Sequence, residues 1–189
     1  MNVRSATWPP FARRLLLGSL LLAAVPVAAL VGAVQAGDLF LLDYVHVITG
    51  GTWTGMDIFM GAVMTRVMRS MDVPARVEVA KRLTPATLFF LPALASAAIT
   101  SGVYLAQYEG KLVLSSPWIV ASGVVIAVLT VQGFGILLPN GVRIFLELAK
   151  EEPDTGKIVR LNLLNLKVSG SQAAFQVVII LIMAHLAIY

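Results

Sequence analysis

Five apolar runs divide the chain, at residues 15–34, 39–67, 84–105, 118–138 and 173–188, and polar residues collect in the intervals between them. A transmembrane helix needs about 20 predominantly apolar residues. The pattern therefore predicts an all-α membrane bundle of about five spans: an N-terminal span over residues 1–36, and a four-helix core over residues 37–189. The first run is open to a second reading. Arg13 and Arg14, the apolar stretch behind them and the Val34-Gln35-Ala36 tripeptide also suit a secretory signal. Its apolar stretch of about 20 residues is longer than the roughly 7–15 of such signals, so it reads as a retained span.

The one sizeable interval is residues 139–170. A helix is expected to continue past Pro139 through residues 140–150, with Arg143 and Glu147 one turn apart. The run Glu151-Glu152-Pro153-Asp154-Thr155-Gly156 reads as a break. Ile158, Leu161 and Leu164, with Lys157, Arg160 and Lys167 between them, read as an amphipathic helix that lies on the membrane surface or leads into the last span. A solvated connector is the plain alternative.

Charge adds an orientation. Lys and Arg fall in alternate intervals: Arg4, Arg13 and Arg14; then Arg66, Arg69, Arg76, Lys81 and Arg82; then Arg143, Lys150, Lys157, Arg160 and Lys167. The remaining intervals hold only Lys111. By the positive-inside rule the N-terminus is expected in the cytoplasm and Tyr189 outside. The net charge of +4 is thus explained by membrane orientation, with no need for nucleic acid.

Composition narrows the chemistry. With 58% hydrophobic and 13% charged residues and a mean hydropathy of +0.87, the chain has too little polar surface for a water-soluble domain. It has no cysteine, which excludes disulfides, thiolate metal sites, iron–sulfur clusters, covalent haem attachment and cysteine nucleophiles. No Ser/His/Asp set, phosphate loop, H-E-x-x-H motif or paired carboxylates occur, so hydrolase chemistry has no support.

The chain has two histidines, and both fall inside predicted spans. His46 lies about 10 Å in from the outer start of the second span, and His185 about 6 Å in from the outer end of the fifth. Two histidines at similar depth on different helices are the geometry needed to grip a flat ligand, and neutral imidazole suits haem iron. A copper site, or no ligand at all, stays open on spacing alone. Gly50, Trp53, Asp57, Met60 and Met64 share the helical face of His46. Ser171, Ala174 and Val178 form a small-residue face below His185, and Ala86, Ala93, Ala97, Thr100 and Tyr104 form a similar stripe on the third span. Asp57, deep in the second span, is a candidate proton or cation site whose partner must come from another helix. The ladder Met56, Met60, Met64 and Met68 reads as packing or as soft ligands for copper.

The stretch from His46 to Gly55, HVITGGTWTG, with Phe59 four residues on, resembles the H-x(5)-T-W-x-G-x(3)-F signature of a bacterial membrane superfamily. That group includes the PuuD membrane domain, the CopD domain and HemJ-type protoporphyrinogen oxidases. The PuuD-like version is nearest, and the likeness extends loosely over residues 40–140. The resemblance implies a helical bundle in which the histidine at the His46 position ligates haem b. Depth alone nominates His185 as the second ligand, with Trp53 against the porphyrin and Gly50 beside it.

Two departures weigh against the HemJ type: Met56-Asp57-Ile58 follows the early tryptophan, and Ser122 stands where a lysine is expected. The leading expectation is a b-type haem protein, with bis-His ligation, that transfers electrons near the outer face of the bacterial cytoplasmic membrane. Its acceptor would be a quinone or a separate cytochrome c, and self-association as a homo-oligomer is compatible with such a bundle. The alternatives are a HemJ-like oxidase and a copper or solute permease of CopD type.

Overall fold

The computed structural model describes residues 10–188, with side-chain surroundings from Arg13 onward; Arg4 and Tyr189 lie outside the described residues. The helices are α1 (Pro10–Ala36), α2 (Leu39–Ile58), α3 (Thr65–Ser70), α4 (Val73–Thr87), α5 (Phe90–Tyr108), α6 (Pro117–Thr130), α7 (Leu138–Leu148) and α8 (Thr155–Ile188). A π-helical segment, Phe59–Met64, joins α2 to α3, and a second, Val131–Leu137, joins α6 to α7. No strand occurs among the described residues.

The chain is an all-α membrane bundle. Four helical stretches among the described residues are long and apolar enough to cross a bilayer: Arg13–Ala36, Phe90–Tyr108, Pro117–Leu148 and Thr155–Ile188. The second expected span is helical throughout but is not one of them. Asp43, His46, Asp57 and the threonines and glycines of residues 49–55 dilute its apolar residues.

Local chemistry fixes the turns. Gly37, at φ 63°, reverses the chain after α1, and the Asp38 carboxylate caps α2 by accepting from the backbone N–H groups of Phe40 and Leu41. Asp72 caps α4 by accepting from Ala75 N–H at 2.9 Å. Gly110, at φ 68°, ends the reach of α5.

Successive spans pack antiparallel, and α1 runs in the same direction as α5 beside it. Ala33 of α1 meets Leu42 and Val45 of α2 beside Leu105 of α5. Ser19, nearer the start of α1, accepts from the N–H groups of Phe89 and Phe90 at the α4–α5 junction. α2 packs most extensively on α5, and α8 touches α2, α4, α6 and α7. At 34 residues α8 is about 50 Å long, well over the roughly 30 Å of hydrocarbon it has to cross. Its first turns therefore extend beyond the membrane beside α4 and α7, where Val77, Ala80, Ile144, Ile158 and Val159 form a separate apolar cluster.

Residues 155–188 thus form one uninterrupted helix, and the amphipathic stretch leads directly into the last span. Its buried face differs from the expected one: Ile158 is fully buried, whereas Leu164 is 43% exposed. Glu147 does not pair with Arg143. It binds Lys150 at 2.8 Å and Lys157 at 2.6 Å, joining α7 to the start of α8, while Arg143 donates to Asn140.

Candidate functional site

The inward face of the second rod follows the expected period. Trp53, Asp57 and Met60 are buried, and His46, Gly50 and Met64 are half-buried. His46 turns toward α5. Its Nδ1 lies 2.9 Å from the Ala98 carbonyl oxygen and 3.3 Å from Ser101 Oγ. The Ser101 hydroxyl already donates to Ala97 O at 2.6 Å, so both neighbours act as acceptors toward His46. Nδ1 therefore carries the proton, and Nε2 keeps the basic lone pair. The ring lies over Gly102, where an added Cβ would come within 2.7 Å of its Cε1. A glycine is needed there. Gly50 sits one turn below, with its would-be Cβ 3.9 Å from that of Ala98.

His185 occupies a different wall. Its imidazole stacks on the Trp118 indole of α6, with ring centroids 3.9 Å apart at 30°. Beside it, Lys111 donates to the Leu186 carbonyl and ties the α5–α6 loop to the end of α8. The two histidines thus rest on α5 and α6 respectively. Below them Trp53, Leu94, Ala98, Val125, Leu129 and Ile182 form an apolar cluster that joins α2, α5, α6 and α8.

The small-residue faces fall elsewhere than expected. Ser171, Ala174 and Val178 are exposed on the outside of α8. On α5 the residues that meet His46 are Ala98, Ser101 and Gly102, one step round from the predicted stripe, of which Ala97 alone is fully buried. The methionine ladder is packing: Met60 and Met68 are buried with Leu166, and Met64 lies against them. Among the described residues no three His, Asp or Glu side chains gather in a way that could hold a metal ion.

A second constellation lies deeper. Asp57 is 1% exposed, and its Oδ2 accepts from Gln176 Nε2 of α8 at 3.0 Å. The partner does come from another helix. Asp57 lines a cavity of about 100 Å³, together with Trp53, Thr84, Asn162, Ser169 and Gln172. This cavity sits where three rods lose α-helical regularity: at the first π segment, at the Leu88–Phe89 break between α4 and α5, and at the second π segment. π-bulges and discontinuous membrane helices recur at binding sites.

The sequence reading missed the polar stripe on α8. Asn162, Asn165, Ser169, Gln172 and Gln176 recur at three- and four-residue spacing on one helical face, which is itself the signal. Two of them are structural. Asn165 donates to the Leu137 carbonyl at 3.3 Å and Gln172 to the Leu129 carbonyl at 3.0 Å, serving oxygens at either end of the second π segment.

Compared with family models, with curated proteins and with solved structures, the chain matches none of them.

Proposed function

We propose that the protein is a b-type haem carrier of electrons in the bacterial cytoplasmic membrane, with five spans, its N-terminus inside and its histidines in the outer half. The observation that carries this reading is the state of His46. Its Nδ1–H is held by a backbone carbonyl over a glycine, which fixes the ring and leaves Nε2 as the ligating atom; metal-binding histidines are commonly oriented in this way. The donor chemistry at His46 fits haem iron. For His185, the Trp118 stack fixes the plane of the ring.

Bound haem would supply one-electron iron chemistry. The chain's own part is to orient imidazole on α2 and α8 and to exclude water with the apolar cluster beneath. Two histidine ligands leave no open iron position, which favours electron transfer over oxygen chemistry. Orientation is supported by charge. The cationic residues Arg13, Arg14, Arg66, Arg69, Arg76, Arg143, Lys157 and Arg160 lie at one end of the antiparallel rods, while Lys111 lies at the other beside Asp38, Asp43 and Glu109.

The test is a reduced-minus-oxidised visible spectrum of the purified protein, beside His46→Ala and His185→Ala. A haem band lost in both variants is the expected result. No band in the wild type, or one unchanged in both variants, overturns the proposal. A band kept in His185→Ala alone removes that residue from the ligand set.

A further inference from the structure

We infer that Asp57 and Gln176 form a binding site for one small monovalent cation of the alkali-metal type, reached through the cavity between the broken rods. The inference stands apart from the histidines and from haem.

Four buried side-chain atoms among the described residues lack a hydrogen-bond partner: Asp57 Oδ1, Gln132 Oε1, Asn162 Oδ1 and Gln176 Oε1. All four are oxygens, and none is a donor. Two of them belong to residues already bonded to each other. Asp57 Oδ2 accepts from Gln176 Nε2, so the Gln176 amide presents its nitrogen there, and Ser169 and Trp53 stand beside the same carboxylate. The amide oxygen is thereby left without a partner, as is Asp57 Oδ1. Both residues are 1% exposed. A buried acceptor without a donor is costly, more so in a low dielectric. A cation satisfies several such oxygens at once, as hard cations do in oxygen-lined sites.

The charge of the ligand follows from the surroundings. The charged groups at the ends of the rods lie outside this level, and Asp57 is the one acidic residue that lines the cavity. A single negative charge balances a single positive one. A divalent ion would leave net charge in the apolar interior. Among the described residues no cluster of carboxylates or imidazoles exists to hold a transition metal.

Polar side chains accompany Asp57 in the cavity wall. Asp57 and Trp53 line one part of it, and the apolar cluster of Leu94, Val125, Leu129 and Ile182 lies beyond Trp53. Asn162 lies fourteen residues before Gln176 on α8, about 21 Å along the helix axis. Its unpartnered oxygen lines the same cavity toward the basic end. The lining of the cavity therefore includes both Asn162 and the carboxylate.

The experiment uses the full chain in detergent, with thermal unfolding followed at constant ionic strength while NaCl or KCl replaces choline chloride. The expected result is a saturable rise in Tm with one of the two alkali cations in the wild type and its loss in Asp57→Asn. Gln176→Leu should retain the effect with a midpoint raised by about 10-fold or more, the usual scale for removing a partner that orients a ligating group. A wild-type Tm that ignores both alkali cations overturns the inference, whatever pH does. So does an equal response in wild type and Asp57→Asn. Should Asp57→Asn fail to fold, Gln176→Leu decides: an unchanged midpoint overturns the site.

Discussion

The tightest contact in the bundle gives the sharpest test of its packing. Gly61, in the first π segment, and Gly170 of α8 meet backbone to backbone. A Cβ added at Gly61 would lie 2.3 Å from Gly170 Cα and 2.6 Å from its nitrogen, whereas a Cβ added at Gly170 would lie 3.3 Å from Gly61 Cα. Ordinary contact begins near 3.4 Å, so Gly61→Ala has to part the rods by about 1.1 Å (3.4 − 2.3), and Gly170→Ala by about 0.1 Å (3.4 − 3.3). Backbone cannot swing aside as a side chain does. Overpacking costs roughly 1–3 kcal/mol, and replacing a helical glycine by alanine returns up to about 1 kcal/mol.

The two effects have opposite winners at the two positions. Gly61→Ala should lose about 1–2 kcal/mol net, a fall in Tm of roughly 2–8 °C for a chain of this size. Gly170→Ala should be neutral or gain up to about 1 kcal/mol, a rise of no more than roughly 4 °C. The assay is thermal unfolding of the detergent-solubilised variants side by side. Equal shifts of the same sign would refute the crossing, because only a one-sided clash separates two chemically identical substitutions. Parting these rods also pulls Asp57 from Gln176, so Gly61→Ala should weaken the cation dependence as well.

Three further outcomes are expected. Gly102→Ala places a Cβ 2.7 Å from His46 Cε1 and should push the imidazole off Ala98 O, reducing or shifting the haem band; an unchanged spectrum would remove this His46 conformation from the ligand role. Ser19→Ala strips the acceptor from two backbone N–H groups at the α4–α5 break, a loss of about 1–3 kcal/mol visible as a lower Tm; no change would mean that α1 does not close this break. Glu147→Gln removes the ion pairs to Lys150 and Lys157 that join α7 to the start of α8 and should lower the Tm. The fall should be smaller at high ionic strength than at low; an unchanged Tm at low salt would contradict the lysine pairing.

The inward face of the second rod was legible because one period carries it. Trp53, Asp57 and Met60 fall on the His46 face at 100° per residue, and an ionisable side chain in an apolar run had to find its partner on another helix. The face of α8 was not legible in the same way. Lys157, Arg160 and Lys167 dominate its first turns and suggest a surface helix, while the register that buries Asn162, Ser169 and Gln176 is set by the Gly61–Gly170 crossing, a long-range contact. The π segments were invisible for a related reason. Neither contains proline. At the second, Gly133, Gly135 and the nearby Pro139 weaken the helix locally, but the amides that serve the carbonyls at its two ends, Asn165 and Gln172, come from a helix distant in sequence.

Those two amides also limit what the polar stripe can be explained by. A membrane interior tolerates irregular backbone only where other groups satisfy it, and Asn165 and Gln172 do that for Leu137 and Leu129. If repair of the broken rod were the whole reason for the stripe, Asn162, Ser169 and Gln176 could be apolar at no loss. Gln176 instead spends its amide nitrogen on Asp57, a carboxylate that repairs nothing and whose burial itself costs free energy. Replacing the pair by leucine and methionine of similar volume would remove every unpartnered oxygen at that level, and buried ionic or polar groups exchanged in this way are often neutral or stabilising. The double variant Asp57→Leu, Gln176→Met should therefore keep or raise the Tm in choline chloride and show no response to alkali cations. A double variant that fails to fold would make the pair a structural necessity and remove the need for a ligand.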